Sequence, residues 1–181
     1  MGNYSISIVP RQTTYRGNKE SKAQEIVQWL IGEQAIEPTL SDCVLSGSNG
    51  GYRIREGFAK FCQIPGFLRL ATNGLEVITE RDVFTTIENG LGEVRCPRCQ
   101  YMMTQQIFFN LIDNWWHEKG ETFFCPTCGE TLSLETIITI PTWGFSDLGF
   151  TFWECPQFNE EFIAEFEKRL ESPVWVVYTH I

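Results

Sequence analysis

Two short cysteine pairs, Cys96-Pro97-Arg98-Cys99 and Cys125-Pro126-Thr127-Cys128, carry the most specific chemistry in this sequence. Each pair puts two thiols on one tight turn, so both sulfurs point into a shared space. Two such turns facing each other make a four-sulfur tetrahedron, the geometry that Zn2+ takes in closed structural sites. Iron is the alternative metal for the same four thiolates, and the spacing is also compatible with a disulfide framework or with free thiols. A single Cys-x-x-Cys would also suit a redox pair, which needs its first thiol at a helix N-terminus. The doubling of the pair favours a metal.

The proline after each first cysteine, with Gly129 closing the second turn, resembles the knuckles of zinc ribbons and rubredoxin-type sites. The resemblance covers residues 94–132 and implies that Cys96, Cys99, Cys125 and Cys128 are the metal ligands. Gln100 stands where such knuckles often carry glycine, so a less regular first turn is expected. Residues 100–124, between the pairs, exceed the roughly 15–20 residues of the common spacing. Within them, Thr104–Trp116 places Ile107, Phe108, Leu111, Ile112 and Trp115 on one helical stripe, expected to be local core beneath the ribbon. Trp115 and Trp116 are adjacent and cannot both face that core, so this pair holds the candidate partner contact. His117 lies in the same interval, but four cysteines already fill a tetrahedral site.

The three remaining cysteines, Cys43, Cys62 and Cys155, read as small buried hydrophobes. An odd total of seven cysteines, and no signal-like opening segment, lead to the expectation of a cytoplasmic protein with reduced thiols. No apolar run reaches the roughly 18–20 residues of a membrane span.

Charge narrows the function classes. The formal net charge is −9, and residues 91–140 carry 3 basic against 6 acidic side chains. Many zinc ribbons contact nucleic acid, which requires a cationic face to neutralise phosphates. Here only Arg95, Arg98 and Lys119 are at hand, so nucleic acid is disfavoured and a protein partner of basic character is expected.

These residues must be positioned by a larger frame. Tyr4–Val9 alternates like a half-buried strand, Ser21 to Gln24 reads as a capping box, and Ala23, Ile26, Val27 and Leu30 form one helical face. Pro38 is expected to end that helix, with Thr39–Leu45 as the next strand. Near the other end, Gly149–Glu154 reads as a strand, Asn159 as a helix cap, Phe162, Ile163, Phe166 and Leu170 as a buried face, and Val174–Tyr178 as a strand. Between them, Tyr52–Cys62 reads as a short helix and Leu68–Ile78 as a hairpin turning at Asn73-Gly74. The run Ser46–Gly51 lacks the residues of a phosphate loop. The expected fold class is α+β: two β-α-β units forming a helix-on-sheet, ferredoxin-like sandwich with an inserted zinc ribbon. The corresponding divisions are residues 1–90, 91–140 and 141–181, the last completing the sheet of the first.

Catalytic residues are not apparent. There is no Gly-x-Ser-x-Gly elbow or triad spacing, and the two histidines, His117 and His180, have no catalytic setting. A complete four-cysteine set predicts a closed structural metal and not a catalytic one. The leading expectation is therefore a non-enzymatic, zinc-stabilised protein-interaction module, such as an inhibitor or immunity-like protein covering a basic partner. An enzyme with a cleft between sheet and zinc lobe is the alternative, and a nucleic-acid-associated ribbon is the third reading.

Overall fold

A computed structural model describes residues 3–45, 50–64, 70–85 and 90–180. These residues run as β1 (Tyr4–Pro10), α1 (Lys19–Gly32), β2 (Ile36–Ser41), β3 (Gly51–Ile54), a 3-10 turn (Glu56–Phe61), β4 (Gly74–Ile78), β5 (Asp82–Phe84) and β6 (Glu93–Arg95). They continue through α2 (Gln105–Trp116), β7 (Thr122–Phe124), β8 (Thr131–Ser133), β9 (Ile138–Ile140), β10 (Gly144–Ser146), β11 (Gly149–Trp153), α3 (Glu160–Leu170) and β12 (Val174–His180). The fold class is α+β, built on a six-stranded sheet in the order β12-β1-β11-β4-β3-β2. Every neighbouring pair in it is antiparallel.

The period-two pattern of the strands decides what each face buries. Ile6 and Ile8 of β1, Phe150 and Phe152 of β11, Leu75 of β4, Ile54 of β3 and Ile36 of β2 share one core with Ala23, Ile26, Val27 and Leu30 of α1 and Phe162, Phe166 and Leu170 of α3. Both helices therefore cover the same face. Aromatic rings dominate the contact: Trp29 of α1 lies 5.7 Å from both Phe162 and Phe166, and Phe61 stacks on Phe162 at 4.5 Å. On the opposite face the cross-strand pair Ser7 and Thr151 joins hydroxyls at 2.8 Å, and the Trp153 indole N–H donates to Glu76 at 2.9 Å.

Several local expectations need correction. The N-cap of α1 is Asn18, whose side chain accepts from the Ser21 N–H at 2.7 Å; Ser21 is inside the first turn and does not cap it. The helix ends at Gly32, well before Pro38, which instead lies within β2. A proline is tolerated there because β2 is the sheet's edge, where one N–H per pair of residues faces no neighbour. Tyr52–Cys62 is not one helix: Tyr52–Ile54 belongs to β3, and only Glu56–Phe61 coils, as a 3-10 turn.

Nor is Asn73-Gly74 a hairpin turn. Gly74 opens β4, which lies between β3 and β11, and a Cβ at Gly74 would fall 2.2 Å from Cys43 Sγ. The start of the hairpin expected over Leu68–Ile78 falls partly outside the described residues, as does most of the Ser46–Gly51 run. Elsewhere the Asn159 signal agrees with the structure, its side chain capping α3 through the Phe162 N–H at 2.8 Å, whereas Thr104, expected as the first residue of its helix, is the N-cap of α2.

Residues 91–140 contribute two three-residue ribbons, β6–β9 and β7–β8, and helix α2. Val94, Cys96, Phe108, Leu111, Trp115, Cys125, Leu132 and Ile137 form a second core, joined by Trp143 and Phe145. Contact with the six-stranded sheet runs through the β5–β10 ribbon, where Gly144 passes so close to Val9 that a Cβ would sit 3.1 Å from its side chain. Glu135 adds a polar tie, accepting from the Thr13 N–H at 2.9 Å and the Thr13 hydroxyl at 3.2 Å. No helix of the described residues is long and apolar enough to cross a membrane.

Candidate metal centre

The first cysteine pair follows β6 and the second follows β7, and the two turns are built alike. In the first, the Gln100 N–H donates to the Cys96 carbonyl at 3.0 Å and the Cys96 N–H to the Tyr101 carbonyl at 3.0 Å. In the second, the Gly129 N–H donates to the Cys125 carbonyl at 2.9 Å and the Cys125 N–H to the Glu130 carbonyl at 2.8 Å. Both closing residues are left-handed, with φ of 61° at Gln100 and 72° at Gly129. The first turn is therefore as regular as the second, contrary to the expectation from its missing glycine. Gln100 meets the conformation with a Cβ that disfavours it, and its side-chain amide donates to the Pro97 carbonyl at 3.3 Å.

This difference predicts opposite responses at equivalent positions. Gln100→Gly is expected to be neutral or stabilising by up to about 1 kcal/mol, and Gly129→Ala destabilising by about 1 kcal/mol. Nothing lies within 4 Å of a Cβ at Gly129, so the second cost is conformational alone. Thermal unfolding of both variants, read in the signal of the cysteine-bearing segment, checks the pair.

The turns bring all four sulfurs within 4.8 Å of one another. Cys96 and Cys128 are 3.8 Å apart, and Cys99 and Cys125 are 3.6 Å apart. Four sulfurs bound to one ion at about 2.3 Å would be separated by about 3.8 Å along each tetrahedral edge. The preformed separations thus fit a single four-coordinate ion. Disulfide-bonded sulfurs would lie at about 2.0 Å, so the described cysteines are free thiols. Backbone N–H groups also converge on the sulfurs: Tyr101 on Cys99, Glu130 on Cys128, and Thr127 and Cys128 on Cys125. Such donors favour thiolates, the form a metal requires.

Without a cation the four sulfurs cannot all carry charge. At Cys99 the Tyr101 N–H favours the thiolate, but burial and the Cys128, Cys125 and Cys96 thiols together push its pKa up to about 12. Burial opposes ionisation at Cys125, yet the Cys128 and Thr127 N–H groups, with the Cys128 and Cys99 thiols, bring it down to about 7. Metal uptake at neutral pH must therefore displace protons, so affinity falls as pH falls and rises as it rises. A competition titration against a chelator of known affinity, repeated from pH 8 downward, is expected to show release steepening below about pH 7, where Cys125 too becomes protonated.

His117 takes no part in the sulfur cluster. It is exposed at the end of α2, its Nδ1 3.0 Å from the Asp113 carbonyl and 3.2 Å from the Asp113 carboxylate. His180 ends β12 opposite Tyr4. Cys43, Cys62 and Cys155 are all buried away from the cluster, and burial raises the thiol of Cys62 to about 11 and that of Cys155 well above its ordinary value.

The two tryptophans part company. Trp115 is fully buried against Phe145 and beneath the Arg81 guanidinium, whereas Trp116 is 46% exposed. Trp115 therefore cannot touch a partner directly. The outward side of α2 carries Phe109, half-buried Ile112 and Trp116 at i, i+3 and i+7, a second apolar stripe beside the buried Phe108, Leu111 and Trp115. Sequence periodicity alone could not separate the two, because side-by-side apolar stripes blur into one broad hydrophobic face. Comparison with protein-family models, with curated proteins and with solved structures finds no match to this chain.

Proposed function

We propose that the protein is a non-enzymatic interaction module in which a structural Zn2+, held by Cys96, Cys99, Cys125 and Cys128, fixes a lobe that presents an apolar surface to a protein partner. In this reading the six-stranded body is a ferredoxin-like sandwich widened by β3 and β4, and residues 91–140 are an inserted zinc ribbon. The observation that carries it is the outward stripe of Phe109, Ile112 and Trp116 on the helix between the two cysteine turns. Met102, Phe124 and Ile140 are also exposed in the same segment. Exposed aromatic side chains on a rigid support are the groups that dominate binding energy at protein interfaces.

The partner is basic in this reading, because the chain carries a net charge of −9 and opposite charge speeds encounter and selects orientation. The proposed setting is the cytoplasm, where the free thiols stay reduced. An inhibitor or immunity-like protein that covers a cationic toxin or nuclease is a concrete form of this role.

The test is affinity capture from native lysate with the wild type and a Phe109→Ser/Trp116→Ser double variant. A partner retained by the wild type, weakened at least about tenfold by the double variant and released by salt, is the expected result. Equal retention by both proteins, or recovery of nucleic acid alone, would refute the interaction role.

A further inference from the structure

The two edges of the six-stranded sheet are built differently. At one edge β2 carries Glu37 and Pro38, and its pairing with β3 shifts register between Ile36 and Leu40, features that discourage a further strand. At the other edge β12 has none of these. It pairs with β1 in unbroken register from Val174 to His180 and contains no proline and no Lys, Arg, Asp or Glu.

The direction of each main-chain group in β12 follows from its neighbours. The Arg11 N–H donates to the Pro173 carbonyl at 2.9 Å, one rung beyond the Pro10–Val174 pair. The Glu154 N–H donates to the Tyr4 carbonyl at 3.0 Å, so the even-numbered residues of β1 bond β11 and the odd-numbered ones bond β12. Bonding alternates along an antiparallel strand, so Trp175, Val177 and Thr179 turn their main-chain groups to β1, and Val174, Val176, Tyr178 and His180 turn theirs outward. Side chains already hold Val174: Glu167 accepts from its N–H at 3.0 Å, and Arg11 Nε donates to its carbonyl at 3.1 Å. Among the described residues no group bonds the outward N–H and C=O of Val176 and Tyr178.

This open stretch is complementary to itself. Turned about a two-fold axis at Val177, a second β12 sets Val176 opposite Tyr178 on either side of the axis, each pair exchanging both of its N–H···O=C bonds. The side chains meet as a β-branched and aromatic pair, a favourable cross-strand combination, and Tyr178 is 48% exposed until they do. No charged side chain of β12 opposes another. Val174, already held by Glu167 and Arg11, ends the ladder on one side, and by symmetry the same residue of the copy ends it on the other. We propose that the protein self-associates as a two-fold dimer through antiparallel β12–β12 pairing centred on Val177, which joins two six-stranded sheets into one. The contact is at the small end of specific interfaces, so monomer and dimer coexist. None of its residues lies in the cysteine-bearing segment or on α2, so it is independent of the metal and of the Phe109–Trp116 stripe.

Sedimentation equilibrium of the full chain from about 5 µM to about 1 mM spans the affinities of such contacts. The weight-average mass is expected to rise from 20.9 kDa toward twice that value. Tyr178→Pro removes an outward N–H without breaking a bond to β1, and Tyr178→Lys places a charge on the edge. Each is expected to weaken self-association at least about tenfold, the proline by deleting one donor from each copy. Should the proline disturb the strand, the lysine variant, changed only at a half-exposed side chain, gives the same reading. In an equal mixture of 13C-labelled and unlabelled protein, filtered NOEs are expected between the Val176 methyls and the Tyr178 ring of the other copy. A wild type that stays at 20.9 kDa throughout would overturn the proposal and leave this edge to an extended segment of another protein. A dimer undiminished by Tyr178→Lys, lacking those NOEs, or lost only in Phe109→Ser/Trp116→Ser would overturn it too.

Discussion

Cys125→Ser is expected to abolish metal binding, from about one ion per chain to none, and to unfold the segment around the cysteine turns while leaving the six-stranded sheet intact. A serine hydroxyl is a poor substitute for a thiolate on a soft-leaning ion, and three remaining sulfurs leave the site open. The segment has little regular strand pairing to hold its turns in place without the ion. Its two ribbons pair only three residues each, and short isolated ribbons are marginal in water. Two of the four cysteines, Cys96 and Cys125, are themselves part of the core that includes Phe108, Leu111 and Leu132.

Hydrogen exchange separates the two regions in one experiment. Amides of Phe108, Leu111 and Leu132 should lose protection in Cys125→Ser, and those of Ile8, Phe150 and Phe152, which lie in the sheet's core, should retain it. Unchanged metal content, or equal loss of protection in both cores, would contradict this division of labour.

The second large effect distinguishes neighbours in the sequence. Trp115→Ala is expected to destabilise the protein by about 3–5 kcal/mol, because a fully buried ring leaves a cavity that its surroundings cannot close. It would also remove the ring beneath Arg81, whose guanidinium donates to the Trp115 carbonyl and lies 5.4 Å from the ring centroid. Trp116→Ala, with its ring 46% exposed, is expected to change stability by no more than about 0.5–1 kcal/mol. Partner binding should follow the opposite order once the loss of folded Trp115→Ala protein is allowed for. Chemical denaturation of the two variants gives the stability difference directly, and equal destabilisation would show that Trp116 also belongs to the core.

The four-cysteine cluster and the Asn159 helix cap near the end of the chain are legible in the sequence because their signals are local. Cys-Pro-x-Cys encodes a turn within four residues, and the Asn159 side chain accepts from an N–H three residues on. A signal of the same kind misplaces the start of α1: Asn18 and Ser21 are both good caps, and the side chain that wins is the one whose turn packs the helix at the required position. Pro38 misleads for a different reason. Its missing N–H is costly inside a sheet and nearly free at an edge, and edge position is a property of the strand order.

Strand order is also where the α+β frame is larger than the two β-α-β units require. Tyr52 and Leu75 face each other in a β3–β4 pair inserted between β11 and β2, although 22 intervening residues and no tight turn signal the pairing. Asn73 reads as a turn residue because Asn-Gly is the usual hairpin signature. Instead its amide ties β11 to the start of β4, a long-range role that its neighbours in sequence do not reveal.

Elemental analysis of protein purified natively, without added metal or chelator, tests the central claim most directly, because the proposed interaction surface depends on an ion held by the four cysteines. About one zinc per chain, lost together with the protected amides of Phe108 and Leu132 on chelation, is the result expected. Carefully prepared, fully reduced protein that contains no bound metal yet keeps those amides protected would contradict it.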